Sequence, residues 1–460
     1  MKNFIKFFKT DIKIINSYFL FAIILIILIS IGYSSYALFS FTKTSNNVIE
    51  ATVGKIETKP NAPVLASNMI PVYYDETAET WKKADLANPN NTYKWYDYNN
   101  GMWANAVTVT ATNRTKYLNA APGTTIPMTD INTMWVWIPR FKATTPSNYN
   151  GGTKAKPNAI DVTFVKQNET AIDAFTFGTK QLSGFWYGKF ETSHTTLASS
   201  TTNNNLGCTN ETCSNANGII IKPNVTSLRY NNVSNFFFAS RSMEQAGNSF
   251  GFVSTEVDTH MSKNNEWGAA AYLTQSIYGR CTSSTSCTEI GINNNDSSIT
   301  GYGAPAGSAK TVANGAYNTP LGKNASTTGT IYGIYDMSGG ADEYVMGVLA
   351  DTNGKPRSGG SSLVNSGFTG MLSKGTTYTG ITFPNSKYYN LYTGSSYTGH
   401  ALTETKNWYS DTADFVNTSG PWFRRGDSYD LGASAGVFHF FNHYGSSGSS
   451  SSSRLVISNE

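Results

Sequence analysis

The sequence predicts a small β module followed by a larger unit with few helices and long irregular connections, and three observations carry that expectation. Short aromatic and β-branched runs, Val72-Tyr73-Tyr74, Tyr93-Lys94-Trp95-Tyr96 and Ala106-Val107-Thr108-Val109, are separated by Asn, Gly and Pro turns, the pattern of small antiparallel strands. Helical spacing is clear in only two places. Ser240 to Ala246 is a short one, and Glu256 to Tyr272 sets Val257, Met261, Trp267 and Ala271 near one face. Between Cys281 and Thr330 the chain is Gly, Asn, Ser and Thr with little periodicity, so long irregular connections are expected there.

Taken in order, residues 1–37 read as a basic segment and an apolar span. Ile14 to Tyr36 is almost wholly apolar and long enough to cross a bilayer as a transmembrane helix. Four lysines precede it, which places the N-terminus in the cytoplasm and the body outside. Ser35-Tyr36-Ala37 also has the small-residue pattern of a cleavage site. A single-pass membrane protein with an extracellular C-terminal body and a secreted protein therefore both stand. Residues 38–60 read as a polar linker and residues 61–130 as a small β module. In that module Trp81, Trp95, Tyr96, Tyr98 and Trp103 form its core or, on the alternative reading, a surface for stacking sugars. A second unit, residues 131–460, opens near Met134-Trp135-Val136-Trp137-Ile138-Pro139-Arg140-Phe141.

The net charge of +4 is accounted for by the first 43 residues, which hold five lysines against one aspartate. The remaining body is neutral and has no basic stripe, which argues against a nucleic-acid partner. With 14% charged and 13% aromatic residues, its surface suits an exported binding protein better than a cytosolic enzyme. The cysteines fall in two tight pairs, Cys208/Cys213 and Cys281/Cys287, each in a polar loop. Two local disulfides fit an oxidising compartment. A four-cysteine zinc site is the alternative, but neither pair has the C-x-x-C spacing of such sites.

The run Gly333-Ile334-Tyr335-Asp336-Met337-Ser338-Gly339-Gly340-Ala341-Asp342-Glu343-Tyr344 resembles the signature G-[LI]-Y-D-M-x-G-N-x-W-E-W of the formylglycine-generating enzyme (sulfatase-modifying factor) family. Further landmarks are similar and occur in the family's order: MWVWIPRF, FWYGKFETS, KNNEWGAAAYL, Arg425-Gly426-Asp427-Ser428-Tyr429 for "R-G-G-S-W", and Ser453-Arg454-Leu455-Val456 for the closing "G-F-R". The resemblance implies an irregular α+β domain of C-type-lectin-like fold over Met134 to Ile457. It also implies a Ca2+ site formed by the Asp336 and Glu343 carboxylates with the Gly339 and Ala341 carbonyls, oxygen donors of the kind calcium takes. Two neighbours depart from the signature, Gly340 standing for Asn and Asp342 for Trp.

The family's enzymes need two cysteines between the last two landmarks. Asp427 to Ser453 has none, and soft copper chemistry needs such thiolates. The five histidines form no H-E-x-x-H, and no G-x-S-x-G elbow occurs. In place of the chemistry stands Val437-Phe438-His439-Phe440-Phe441-Asn442-His443-Tyr444-Gly445 followed by a Ser/Gly run. Aromatic, imidazole, amide and hydroxyl groups on a rigid scaffold make an adaptable binding surface, and the segment also resembles the variable proteins of diversity-generating retroelements. The expectation is a non-catalytic, surface-displayed adhesin- or receptor-like protein that binds a protein or glycan through Tyr429, Asp430, His439, Phe441, Asn442, His443 and Tyr444. A degenerate enzyme of the same family and a structural appendage subunit are the alternatives. Arg425-Gly426-Asp427 also spells an integrin-type adhesion tripeptide, which would require an exposed turn.

Overall fold

A computed structural model describes residues 49–52, 55–87, 92–197, 205–350, 354–356, 365–368, 371–372, 376–377 and 382–459. The strands that organise it are, in chain order, Ile70–Asp75 (β1), Thr80–Lys83 (β2), Asn105–Val109 (β3), Ile131–Pro139 (β4), Gly184–Gly188 (β5), Val257–Met261 (β6), Asp342–Leu349 (β7), Asn390–Tyr392 (β8), Trp422–Gly426 (β9), Gly436–His443 (β10), Ser451–Ser453 (β11) and Leu455–Asn459 (β12). Helices Val233–Ser242 (α1) and Asn264–Thr274 (α2) flank β6 in the sequence. A seven-stranded antiparallel sheet has the order β6-β12-β5-β4-β3-β1-β2. A second sheet runs β8-β7-β9-β10, with β11 pairing the first half of β7.

The large sheet corrects the expected domain division. Strands β1, β2 and β3 come from residues 61–130, yet β3 pairs with β4 from Asn105↔Val136 to Val109↔Ile131, so this stretch extends the sheet of the following segment. Its aromatics are core. Trp81, Trp95, Tyr98 and Trp103 are at most 2% exposed and Tyr96 is buried as well, with Trp95 Nε1 donating to the Asn105 carbonyl and the Tyr98 hydroxyl to the Trp137 carbonyl. No face is left for sugar stacking, because all five rings are buried in the core.

Both expected helices shift. Asn232 starts α1 by accepting a hydrogen bond from the Asn235 amide at 3.0 Å, an N-cap that the apolar spacing did not reveal. The second stretch divides. Val257-Asp258-Thr259-His260-Met261 is drawn into β6 by full pairing with β12, and the helix starts only after Lys263, whose amide donates to Glu266 Oε2 at 2.8 Å. Both helices are buried all round, which explains why neither shows a strong one-sided pattern.

The α+β expectation with an N-terminal transmembrane helix is also corrected. Strand outweighs helix in the described residues, as a Thr-, Tyr- and Val-rich chain punctuated by Gly and Asn favours. Among those residues no helix is long and apolar enough to cross a membrane, and Ile14 to Tyr36 lies outside them. The single-pass placement is accordingly dropped. Both disulfides form as expected, Cys208–Cys213 and Cys281–Cys287.

Candidate functional site

The signature loop is held from three sides before it enters β7. Asp336, in a left-handed conformation at φ 61°, accepts from the Gly301 amide and the Asn293 side chain, each at 2.8 Å, and from the Glu191 amide at 3.4 Å. Glu343 points into the core, where both of its oxygens face the Arg454 guanidinium, Oε2 at 2.9 Å from Nε and Oε1 against Nη2. A third carboxylate, which the sequence did not single out, completes the group: Glu191 Oε1 accepts from the Ala341 amide at 2.8 Å. It also explains a departure from the signature. Gly340 has φ +75° and a Cβ there would lie 2.3 Å from Glu191 Oε1, so the usual Asn has no room.

These partners do not fit the Ca2+ site expected from Asp336, Gly339, Ala341 and Glu343. Calcium takes six to eight oxygens. Here the Glu343 carboxylate is engaged on both oxygens by a fixed cation, and the Asp336 carboxylate is engaged by amide donors. The loop is braced by hydrogen bonds and an ion pair instead.

Three buried carboxyls that feel one another's charge cannot all ionise cheaply, even with the Arg454 guanidinium on Glu343. Burial, followed by the charges of Asp336 and Glu343, raises the Glu191 carboxyl well above its usual range. Burial likewise raises Asp336 and pushes Glu343 up to about 7. A carboxyl raised in the folded state contributes stability that is complete below its unfolded value and is lost as pH rises through its folded value. Glu191→Gln, which keeps the shape without the titration, is therefore expected to become progressively more stable relative to the parent between about pH 5 and pH 8. Denaturant midpoints of both chains across that range check it. A constant difference would mean that Glu191 does not hold the proton.

The C-terminal candidates divide by burial. In β10 Phe438 and Phe440 turn into the core, against Trp408 and Phe423. His439 is also buried, at 1% exposure, which corrects its expected place on the open surface. Phe441, Asn442 and His443 are half-buried and Tyr444 is exposed. These four line a pocket of about 570 Å³ together with Asn417, Thr418, Ser419 and Gly420. The turn that supplies its other wall was not read from the sequence, although Asn417-Thr418-Ser419-Gly420 is a turn signal. The close approach needs Gly420, since a Cβ there would come within 2.4 Å of Asn442 Oδ1.

Partners hold the pocket wall in place. Asn442 Nδ2 donates to Asp414 Oδ2 at 2.6 Å. The Tyr344 hydroxyl donates to the Ser446 carbonyl at 2.8 Å and touches Nδ1 of His443, whose pKa burial lowers to about 4. The Arg424 guanidinium lies over the Phe441 ring, 5.9 Å from its centroid. Tyr429 is half-buried with its amide on the Gly340 carbonyl, and exposed Asp430 accepts from the Ser428 hydroxyl. Neither lines the pocket.

Behind β10 lies a second group. Asp342 meets Arg424 at 2.7 Å, and His439 Nδ1 is 3.3 Å from Asp427 Oδ2. Burial pushes Asp342 up to about 6 and Asp427 up to about 7, and lowers His439 to about 3. Asp427 is only 4% exposed and Arg425 is fully buried. The tripeptide from Arg425 to Asp427 is thus an internal strand end and presents no adhesion tip. Comparison with known proteins adds no family: no protein-family model matches the chain, and no curated protein matches it.

Proposed function

We propose that the chain is a non-catalytic ligand-binding protein related to the formylglycine-generating enzyme family, and that it engages a protein or glycan through the pocket at the end of β10. The observation that carries the reading is the pocket itself. Four of the residues expected to bind line it consecutively, Phe441 to Tyr444, and they combine an aromatic face, an amide and an imidazole opposite a loop rich in small polar residues. Stacking surfaces beside a few fixed polar groups are what ligand pockets use. The family resemblance is supported by the meeting of two separate landmarks, since Arg454 of the closing motif pairs with Glu343 of the signature. The absence of cysteine from Asp427 to Ser453, with all four cysteines paired elsewhere, favours binding over the family's oxidation.

The test is a glycan and protein array probed with the full, disulfide-intact chain and with Phe441→Ala/Asn442→Ala/Tyr444→Ala. Truncating a central aromatic and its polar neighbour is expected to weaken binding at least about 30-fold, as losing a hot spot of about 2 kcal/mol or more does. The melting temperature should stay close to that of the parent. Unchanged binding by the variant would remove the pocket from the function.

A further inference from the structure

We propose that Asp342, Asp427 and His439 form a binding site for a divalent transition-metal ion of the zinc class, tying β7, β9 and β10 together behind the ligand pocket. One carboxylate oxygen from each aspartate and one imidazole nitrogen lie within 4.8 Å of one another. The three residues come from neighbouring strands: Asp342 opens β7, Asp427 directly follows β9, and His439 lies in β10. The register between β9 and β10 slips after Arg425, and an irregularity of this kind re-aims a side chain next to a site. The convergence is therefore fixed by backbone pairing and does not depend on flexible loops.

An orphaned polar atom points to what belongs there. Asp342 is 4% exposed, and among the described residues its Oδ1 has no hydrogen-bond partner. A carboxylate oxygen so deeply buried calls for one. The other atoms are already oriented. Asp342 Oδ2 is held by Arg424 at 2.7 Å, and Asp427 Oδ1 accepts from the Ser428 amide at 2.9 Å. Such outer contacts fix ligands in metal sites. His439 Nδ1 makes a 3.3 Å contact to the Ser434 carbonyl and an equally long one to Asp427 Oδ2. Two donors about 3.3 Å apart are spaced as neighbours on a tetrahedral ion with bonds of about 2.0–2.1 Å.

The donor set selects the ion. Two carboxylates and an imidazole suit zinc, iron, cobalt or manganese, whereas magnesium and calcium sites are built from oxygen alone. Three protein donors also leave one tetrahedral position for water or another ligand. The ion would act on the binding face through its ligand: the His439 ring stacks on Phe441, centroids 6.5 Å apart at 17°, and Phe441 lines the pocket. The site itself does not depend on the ligand reading.

The experiment uses the full, disulfide-intact chain, stripped with chelator and dialysed, then titrated with Zn2+ by calorimetry and with Co2+ by visible absorption. The expected result is one equivalent of Zn2+, a raised melting temperature, and intense Co2+ bands of a four-coordinate site. Asp427→Asn and His439→Gln should each weaken Zn2+ by more than the roughly 10–100-fold that loss of an outer contact brings, and should remove the cobalt bands. His443→Gln should leave both unchanged. Melting of the metal-free variants shows whether each is folded. Should one of them fail to fold, Arg424→Gln, which loosens Asp342 without removing a donor, is expected to weaken Zn2+ about 10–100-fold. Absence of stoichiometric binding to the parent chain, binding of Ca2+ in preference to Zn2+, or binding that survives all of these substitutions would each overturn the proposal.

Discussion

Arg454→Met is expected to destabilise the fold by about 3–5 kcal/mol, because it leaves Glu343 buried without its cation. The guanidinium is fully enclosed and spends all its edges: Nε and Nη2 on Glu343, Nη1 on the Gly188 carbonyl at 2.8 Å, and Nη2 also on the Tyr335 carbonyl at 2.9 Å. It thereby ties the junction of β11 and β12 to β5, β7 and the signature loop. Removing both charges should cost less than removing one. In Arg454→Met/Glu343→Met no ion is stranded, and most of the loss should return, short of the share due to two carbonyls left without a donor. Urea denaturation of the parent, both single variants and the double variant measures this. Equal losses in the single and double variants would show that packing, and not the stranded charge, sets the effect.

Trp267→Ala is expected to cost about 3–5 kcal/mol as well, by a different route. This indole is fully buried in α2, where its removal opens a cavity that close-packed surroundings fill only in part. It also carries a specific link to the binding strand, since Nε1 donates to the Val437 carbonyl at 2.9 Å and the Arg425 guanidinium lies 5.5 Å from the ring centroid. Trp267→Phe, which keeps most of the volume and loses the donor, should fall between. If the phenylalanine variant matches the parent in denaturant midpoint, the Val437 contact contributes little and filling the cavity is the whole effect.

The fold was legible in the sequence where local chemistry and tertiary demand agree. Phe185-Trp186-Tyr187 and Ala106-Val107-Thr108-Val109 form strands in the structure because each run is buried on both faces, and the cysteine pairs close within their own loops. Glu256 to Tyr272 was misread for the opposite reason. His260 and Thr259 sit in a strand held by Val456 and Ile457, residues far away in sequence, and spacing within one window carries no information about such a partner. The same limit shaped the site. Asp336 and Glu343 stood out through the resemblance to a family signature, yet the groups that satisfy them, Gly301, Asn293 and Arg454, arrive from distant segments. Phe441 to Tyr444 were recognisable by residue type alone. Asp342 and Asp427 drew notice as residues where a family signature has Trp and Gly, and Asp427 also within an adhesion tripeptide, but their convergence on His439 required the strand order.

That strand order also governs when the molecule can become itself. Strand β12 lies between β6 and β5, pairing Ile457 with both Trp186 and Thr259, although it follows every other strand of the sheet in the chain. A polypeptide emerging from the ribosome therefore holds β5 with one bare edge and β6 without its sheet partner until residues 455–459 have appeared. Contacts of such long sequence range form slowly, and bare edges invite pairing with other chains. Removing residues 454–459 would release the central seam of the sheet along with Arg454, so the sheet is expected to close only when this stretch is in place.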